Sequence, residues 1–180
     1  SSMAKGSVIR CETFLERTKL SMSLDPQVTV AGKAALHGLK IVRIVYLTEP
    51  RPGVKRWTSA LLYVPTTSDG SCKRAAPLAL VAHGTTGLAP TCGPSRYPVF
   101  GLQYMTMPLV ARGFLAIAPD YLGLGLPSRS QHPYLVKEPT VASMMDAVRV
   151  VRELSRQGSL AGCAGTKMVV VGHSQGRHAV

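Results

Sequence analysis

Apolar and polar positions divide this chain into a hairpin-like first part and a second part in which strands alternate with helices. Residues 39–48 and 57–64 are rich in Val, Ile, Leu and Tyr, and Glu49-Pro50-Arg51-Pro52-Gly53 separates them, which predicts two strands joined by a turn. After a loop over 65–76, residues 77–82 form a continuous apolar run, the pattern of a strand buried on both faces. Residues 104–112 suit a short helix stopped by Gly113, and 114–118 suit a fourth strand. Over 139–157, Val141, Met144, Met145, Val148, Val151 and Leu154 follow helical spacing, with Asp146, Arg149, Glu153 and Arg156 opposite them. This predicts a long amphipathic helix with a solvated charged face. Residues 167–171 are a fifth strand, and a new helix opens after Ser174. Strand, helix, strand, helix, strand in that order requires a parallel sheet with right-handed crossovers. Residues 1–38 show no comparable pattern and read as an irregular segment, with 39–180 as one unit free of repeats and linkers.

Composition sharpens this picture in three ways. With 180 residues, 46% of them apolar, the chain can bury one sizeable core. The formal charge is +12, yet only 17% of residues are charged, so the excess comes from scarce acids rather than basic tracts and does not point to nucleic acid. No apolar run approaches the ~18 residues of a membrane span. The four cysteines, Cys11, Cys72, Cys92 and Cys163, lack the close paired spacing of a zinc site and favour disulfides in an oxidising compartment. The chain does not open with Met or with the apolar core of a signal peptide, and it stops where a helix is beginning. The expectation is a chain whose signal or front has been removed and which is truncated after residue 180.

Gly172-His173-Ser174-Gln175-Gly176 supplies the pattern G-x-S-x-G between the fifth strand and the following helix. In that context the serine stands on a sharp strand-to-helix turn, and its hydroxyl is raised above the sheet edge as a nucleophile. Acyl transfer also needs donors for the developing oxyanion. The backbone N–H of Gln175 is one, and the loop His83-Gly84-Thr85-Thr86-Gly87 after the third strand offers the second, with Thr85 favoured and Thr86 the alternative. Asp120 ends the fourth strand and precedes the serine, so it is read as ordering the Gly123/Gly125 loop rather than as a triad acid. His83 and His132 read as braces, His173 and His178 are not placed to act as bases, and Tyr121 reads as packing or as a pocket wall.

Together with Cys92-Gly93-Pro94-Ser95, Pro119-Asp120-Tyr121-Leu122-Gly123-Leu124-Gly125 and His132-Pro133-Tyr134, these motifs resemble the N-terminal part of an α/β-hydrolase, specifically the secretory lipases of fungi and their bacterial relatives. The resemblance covers residues 39–180 and departs at Arg177, where the family usually has a second glycine. It implies an α/β-hydrolase fold, a mostly parallel sheet with an antiparallel N-terminal hairpin. It also implies a secreted serine esterase or lipase that acts on esters or acylglycerols, with transient contact at a lipid interface and no metal or organic cofactor. The triad acid and histidine are expected outside this chain, which alone is expected to be inactive. In the strand order of that fold the third and fifth strands are neighbours, which brings Cys72 and Cys163 to the same sheet edge as a candidate disulfide. Cys92 lies at the opposite edge without a partner here. Peptidase or acyltransferase chemistry on the same fold, or a binding module without a complete triad, are the alternative readings.

Overall fold

The computed structural model describes residues 3–28, 33–97, 103–127 and 131–180. Its elements are β1 (Val8–Arg17), α1 (Lys19–Ser23), β2 (Gly38–Arg51), β3 (Val54–Thr66), β4 (Ala76–Ala82), α2 (Gln103–Ala111), β5 (Leu115–Pro119), α3 (Lys137–Gln157), β6 (Ala164–Gly172) and α4 (Gln175–His178). The strands form one mixed sheet in the order β1-β2-β3-β5-β4-β6. The first three ladders along that order are antiparallel, and β5-β4 and β4-β6 are parallel. Thus β2, β4, β5 and β6 run one way, and β1 and β3 the other.

Alternation along β4 explains why the sheet is covered on both sides. Leu78 and Leu80 face one way, into a core with Ile44, Tyr46, Leu62 and Ile117 and with Met144, Ala147, Val148 and Val151 of α3. Ala79 and Val81 face the other way, with Ile41, Leu61 and Tyr63 and with Met107 and Val110 of α2. Each fully buried Leu, Ile or Val side chain in these two layers contributes about 1.5–3 kcal/mol relative to exposure. β6 is different: it lies at the sheet edge, and Met168, Val169 and Val170 are exposed.

Expectations for the N-terminal residues and for α3 are corrected. Residues 1–38 are not simply irregular, because Val8–Arg17 pairs along the outer edge of β2. The expected antiparallel hairpin is β2–β3, and β1 adds a third strand to its outer edge. β1 is largely exposed and its register shifts at Val8/Arg10 and Thr13/Leu15, which blurs the period of two. On α3, Asp146 is not on a solvated face: it is buried and accepts from Thr48 Oγ1 (2.9 Å) and Glu49 N–H (3.0 Å), while Arg149 pairs with its other oxygen. Val141 and Met145, assigned to the apolar stripe, are exposed, and Ala147 and Val150 are buried instead.

Cys72 and Cys163 are joined by a disulfide with a Cα–Cα distance of 5.8 Å. Cys163 precedes β6 and Cys72 precedes β4, two strands whose pairing begins at Ala76↔Ala164. Cys11 and Cys92 are free thiols.

Candidate active site

The parallel strands β5, β4 and β6 deliver their C-terminal ends to one edge of the sheet, and the loops that follow them converge there. β6 ends at Gly172, opposite Ala82 at the end of β4. The chain then turns sharply: Ser174 has φ +51° and ψ −116°, a left-handed conformation that costs a non-glycine residue about 1–3 kcal/mol unless its surroundings impose it. They do impose it. His173 N–H donates to Ala82 O (3.1 Å), Gly176 N–H to His173 O (2.7 Å) and Arg177 N–H to Ser174 O (2.9 Å). Position 176 must be glycine because a Cβ there would overlap the Ala82 carbonyl. The result is an exposed Ser174 side chain standing above the sheet edge.

The loop after β4 passes beside the serine, since a Cβ on Gly84 would lie 3.4 Å from Ser174 Cβ. Of the residues weighed as oxyanion donors, Gln175 follows Ser174 in the chain, and Thr85 and Thr86 follow Gly84. Gln175 is buried, whereas Thr85 and Thr86 are exposed. Thr85 Oγ1 and the Tyr134 hydroxyl are 3.0 Å apart. Arg177, where the resemblance departs from the family pattern, is exposed.

Behind this edge lies a buried network built from the other motifs. Asp120 is fully buried; its Oδ1 accepts from Ser95 N–H (2.7 Å), and its Oδ2 accepts from the Ser59 hydroxyl. Burial pushes the Asp120 carboxyl above its ordinary range, against the donors that stabilise its charge. Gly125, at φ +79°, completes the arrangement: any Cβ there would overlap Asp120 Oδ2 and Ser59 Oγ, and Gly125 N–H donates to Pro90 O (2.8 Å). Asp120 thus anchors the 92–95 segment through Ser95 and packs closely against Gly125. Ser59 was not singled out from sequence, although a hydroxyl within an apolar strand run was a signal that a buried acceptor faces it.

None of the five histidines hydrogen-bonds the Ser174 hydroxyl among the described residues. Both ring nitrogens of His83 face backbone carbonyls, Gly84 O at 2.6 Å and Asp120 O at 3.0 Å. His132 is held by Leu122 O (2.9 Å) and Gln175 (2.7 Å), and His178 Nε2 lies 3.0 Å from Leu135 O. His173 stands edge-on to Tyr104. His37 precedes β2 and sits near Lys73 and Gly113, at the end of the sheet remote from the elbow. Tyr121 is packing rather than pocket wall: it is buried, stacks on His83 at 4.1 Å between ring centroids and donates to His83 O (2.9 Å). Among the described residues no cluster of three or more His, Cys, Asp or Glu could hold a metal ion, and no helix is long and apolar enough to cross a membrane.

Compared as a sequence, the chain matches no family model and no curated protein. Solved structures do resemble it. The rice cell wall degrading esterase LipA from Xanthomonas oryzae, in a ligand-bound form, superposes with a TM-score of 0.80 at 22% identity, over 98% of this chain and 44% of LipA. Lipase A of Candida antarctica in its closed state superposes with a TM-score of 0.66 at 15% identity, over 98% of this chain and 37% of the lipase. The chain spans less than half the length of either protein. Its structural neighbours are lipase-type α/β-hydrolases, and this chain carries the α/β-hydrolase fold.

Proposed function

We propose that this chain is the nucleophile-bearing part of a secreted carboxylic-ester hydrolase that acts on acylglycerols or smaller esters through a Ser174 acyl-enzyme. The observation that carries the reading is the strained backbone of Ser174 at the end of a parallel strand, with the loop after β4 alongside. In the reaction, Ser174 Oγ attacks the ester carbonyl while a histidine removes its proton. The carbonyl oxygen becomes an oxyanion held by the Gln175 N–H and an N–H of the Thr85 region, with Thr86 the alternative. Collapse expels the alcohol, which takes the proton from that histidine. Water then repeats the sequence and releases the acid. The five histidines of this chain are turned elsewhere, so the base and its orienting acid are assigned to sequence outside these 180 residues. In this reading residues 39–180, together with β1 on the same sheet, are the first part of the catalytic domain, and the Cys72–Cys163 disulfide supports an oxidising, extracytoplasmic location.

The test is Ser174→Ala in the full-length gene product. Turnover of a p-nitrophenyl ester should fall by roughly 10⁴-fold or more with the fold intact, and labelling by a fluorophosphonate should vanish. Turnover retained in that variant overturns the assignment.

A further inference from the structure

We infer that the short loop carrying His132, Tyr134 and Leu135 is the frame of the oxyanion hole, with His132 and Tyr134 acting as positioning residues. This rests on the reading of Ser174, Gln175 and Thr85 given above. Three bonds leave this loop for the site. His132 Nε2 meets Gln175 Nε2 at 2.7 Å, the Tyr134 hydroxyl meets Thr85 Oγ1 at 3.0 Å, and Leu135 O meets His178 Nε2 at 3.0 Å. The loop therefore grips the residue that supplies the first donor, the residue favoured for the second, and the helix that follows the nucleophile.

The chemistry of His132 fixes the direction of its bond. Leu122 O can only accept, so His132 Nδ1 carries the proton, at 2.9 Å, and Nε2 is left as an acceptor. Gln175 must then donate from its side-chain amide, which locks its χ angles. Burial also lowers the His132 pKa, which favours this neutral form, and the neighbouring His83 acts in the same direction. The ring is itself wedged, stacked on Tyr121 at 5.8 Å and edge-on to Tyr134 at 6.2 Å between centroids. Leu135 holds φ +58° to complete the loop, a strained conformation for a leucine.

An oxyanion hole acts by preorganisation: its donors matter in proportion to how little they move when charge develops. Loosening the frame should therefore spare substrate binding and weaken the transition state. The experiment uses the full-length enzyme, with active sites counted by fluorophosphonate titration so that misfolded molecules do not enter kcat. His132→Ala is expected to lower kcat by about 10- to 100-fold per counted site, the scale of an ångström-level misplacement, with KM little changed. A trifluoromethyl ketone, whose serine adduct carries an oxyanion, should lose affinity in parallel. His132→Gln, which returns an acceptor oxygen to the Gln175 amide, should recover most of the loss. Tyr134→Phe should reduce kcat in the same pattern. If His132→Ala yields no countable sites, His132→Gln and Tyr134→Phe decide between the outcomes. The inference is overturned if kcat per site in the countable variants equals that of the parent, or if His132→Gln is no better than a countable His132→Ala. Ser174→Ala is run alongside: turnover surviving there removes the ester-hydrolase reading and the frame with it. A dead Ser174→Ala beside unaffected His132 and Tyr134 variants removes the frame alone.

Discussion

Breaking the Cys72–Cys163 disulfide should cost this domain a free energy close to the lower end of the stabilities of whole domains. The bond closes a loop with a sequence separation of 91 that contains β4, α2, β5 and α3. In the chain-entropy treatment a loop of that length removes about 15 cal/mol/K from the unfolded ensemble, or about 4.6 kcal/mol at 25 °C. The perturbation is the double variant Cys72→Ala and Cys163→Ala. It is best built on Cys11→Ser, because the free Cys11 lines the same cavity, of about 630 Å³, as both bonded cysteines and could exchange with them. The assay is equilibrium unfolding in urea, with the full-length protein and the Cys11→Ser parent side by side. With slopes of about 1–3 kcal/mol/M, the midpoint should fall by roughly 2 M. A shift below about 0.5 M at unchanged slope would refute the reasoning, because a constraint on so long a loop would then be contributing almost nothing.

Two further perturbations probe the buried network behind the site and a surface turn at the opposite end of the sheet. Asp120→Ala leaves the Ser95 N–H and the Ser59 hydroxyl without their buried acceptor and should destabilise by roughly 2–4 kcal/mol in urea unfolding; a loss under about 1 kcal/mol would show that the network is not stabilising. Thr67, Ser71 and the Ser71 N–H donate to the Asp69 carboxylate and lower its pKa to about 2 from 3.8. A carboxylate depressed in the folded state stabilises fully above its unfolded pKa, and that stabilisation is lost as pH falls through the folded value. Asp69→Asn should therefore narrow its stability gap to the parent between pH 3.8 and about 2, and a gap constant over that window would contradict the turn's role.

Legibility in the sequence followed burial. β4 and β5 were readable as continuous apolar runs because both faces are covered, and the center of α3 was readable because one face packs on the sheet. β1 escaped notice because it is an exposed edge strand: Ile9, Cys11, Thr13 and Leu15 do alternate with Arg10, Glu12 and Glu16, but Phe14 and two register shifts interrupt the period. Asp146 misled for the opposite reason. Helical spacing placed it with Arg149 and Glu153, but tertiary donors from Thr48 and Glu49 pull it inward, and nothing local announces them. The elbow at Ser174 was legible because its glycines are demanded by backbone contacts within a few residues, or across one strand pair. The His132–Gln175 and Tyr134–Thr85 bonds span 43 and 49 residues, and no periodicity encodes such distances.

The distribution of backbone strain ties the fold to the proposed chemistry. Among the described residues four non-glycines hold positive φ, and three of them, Tyr121, Leu135 and Ser174, belong to the loops that meet at the C-terminal edge of the parallel strands. Strain of this kind persists only where neighbours over-determine it. Among the described residues, the Ser174 elbow is held through Ala82 O from β4, and through His132 and Leu135 from the loop that contains Gln131. The strained serine and the loop that grips Gln175 and His178 therefore form one mechanical unit, in which Tyr121 links the β5 end to His83 and His132 by stacking. A substitution that relaxes Leu135, such as Leu135→Gly, would keep the loop's favoured φ while adding freedom to the unfolded chain. Its effect would fall on stability, whereas loss of the His132 or Tyr134 side chain would fall on the geometry beside Ser174.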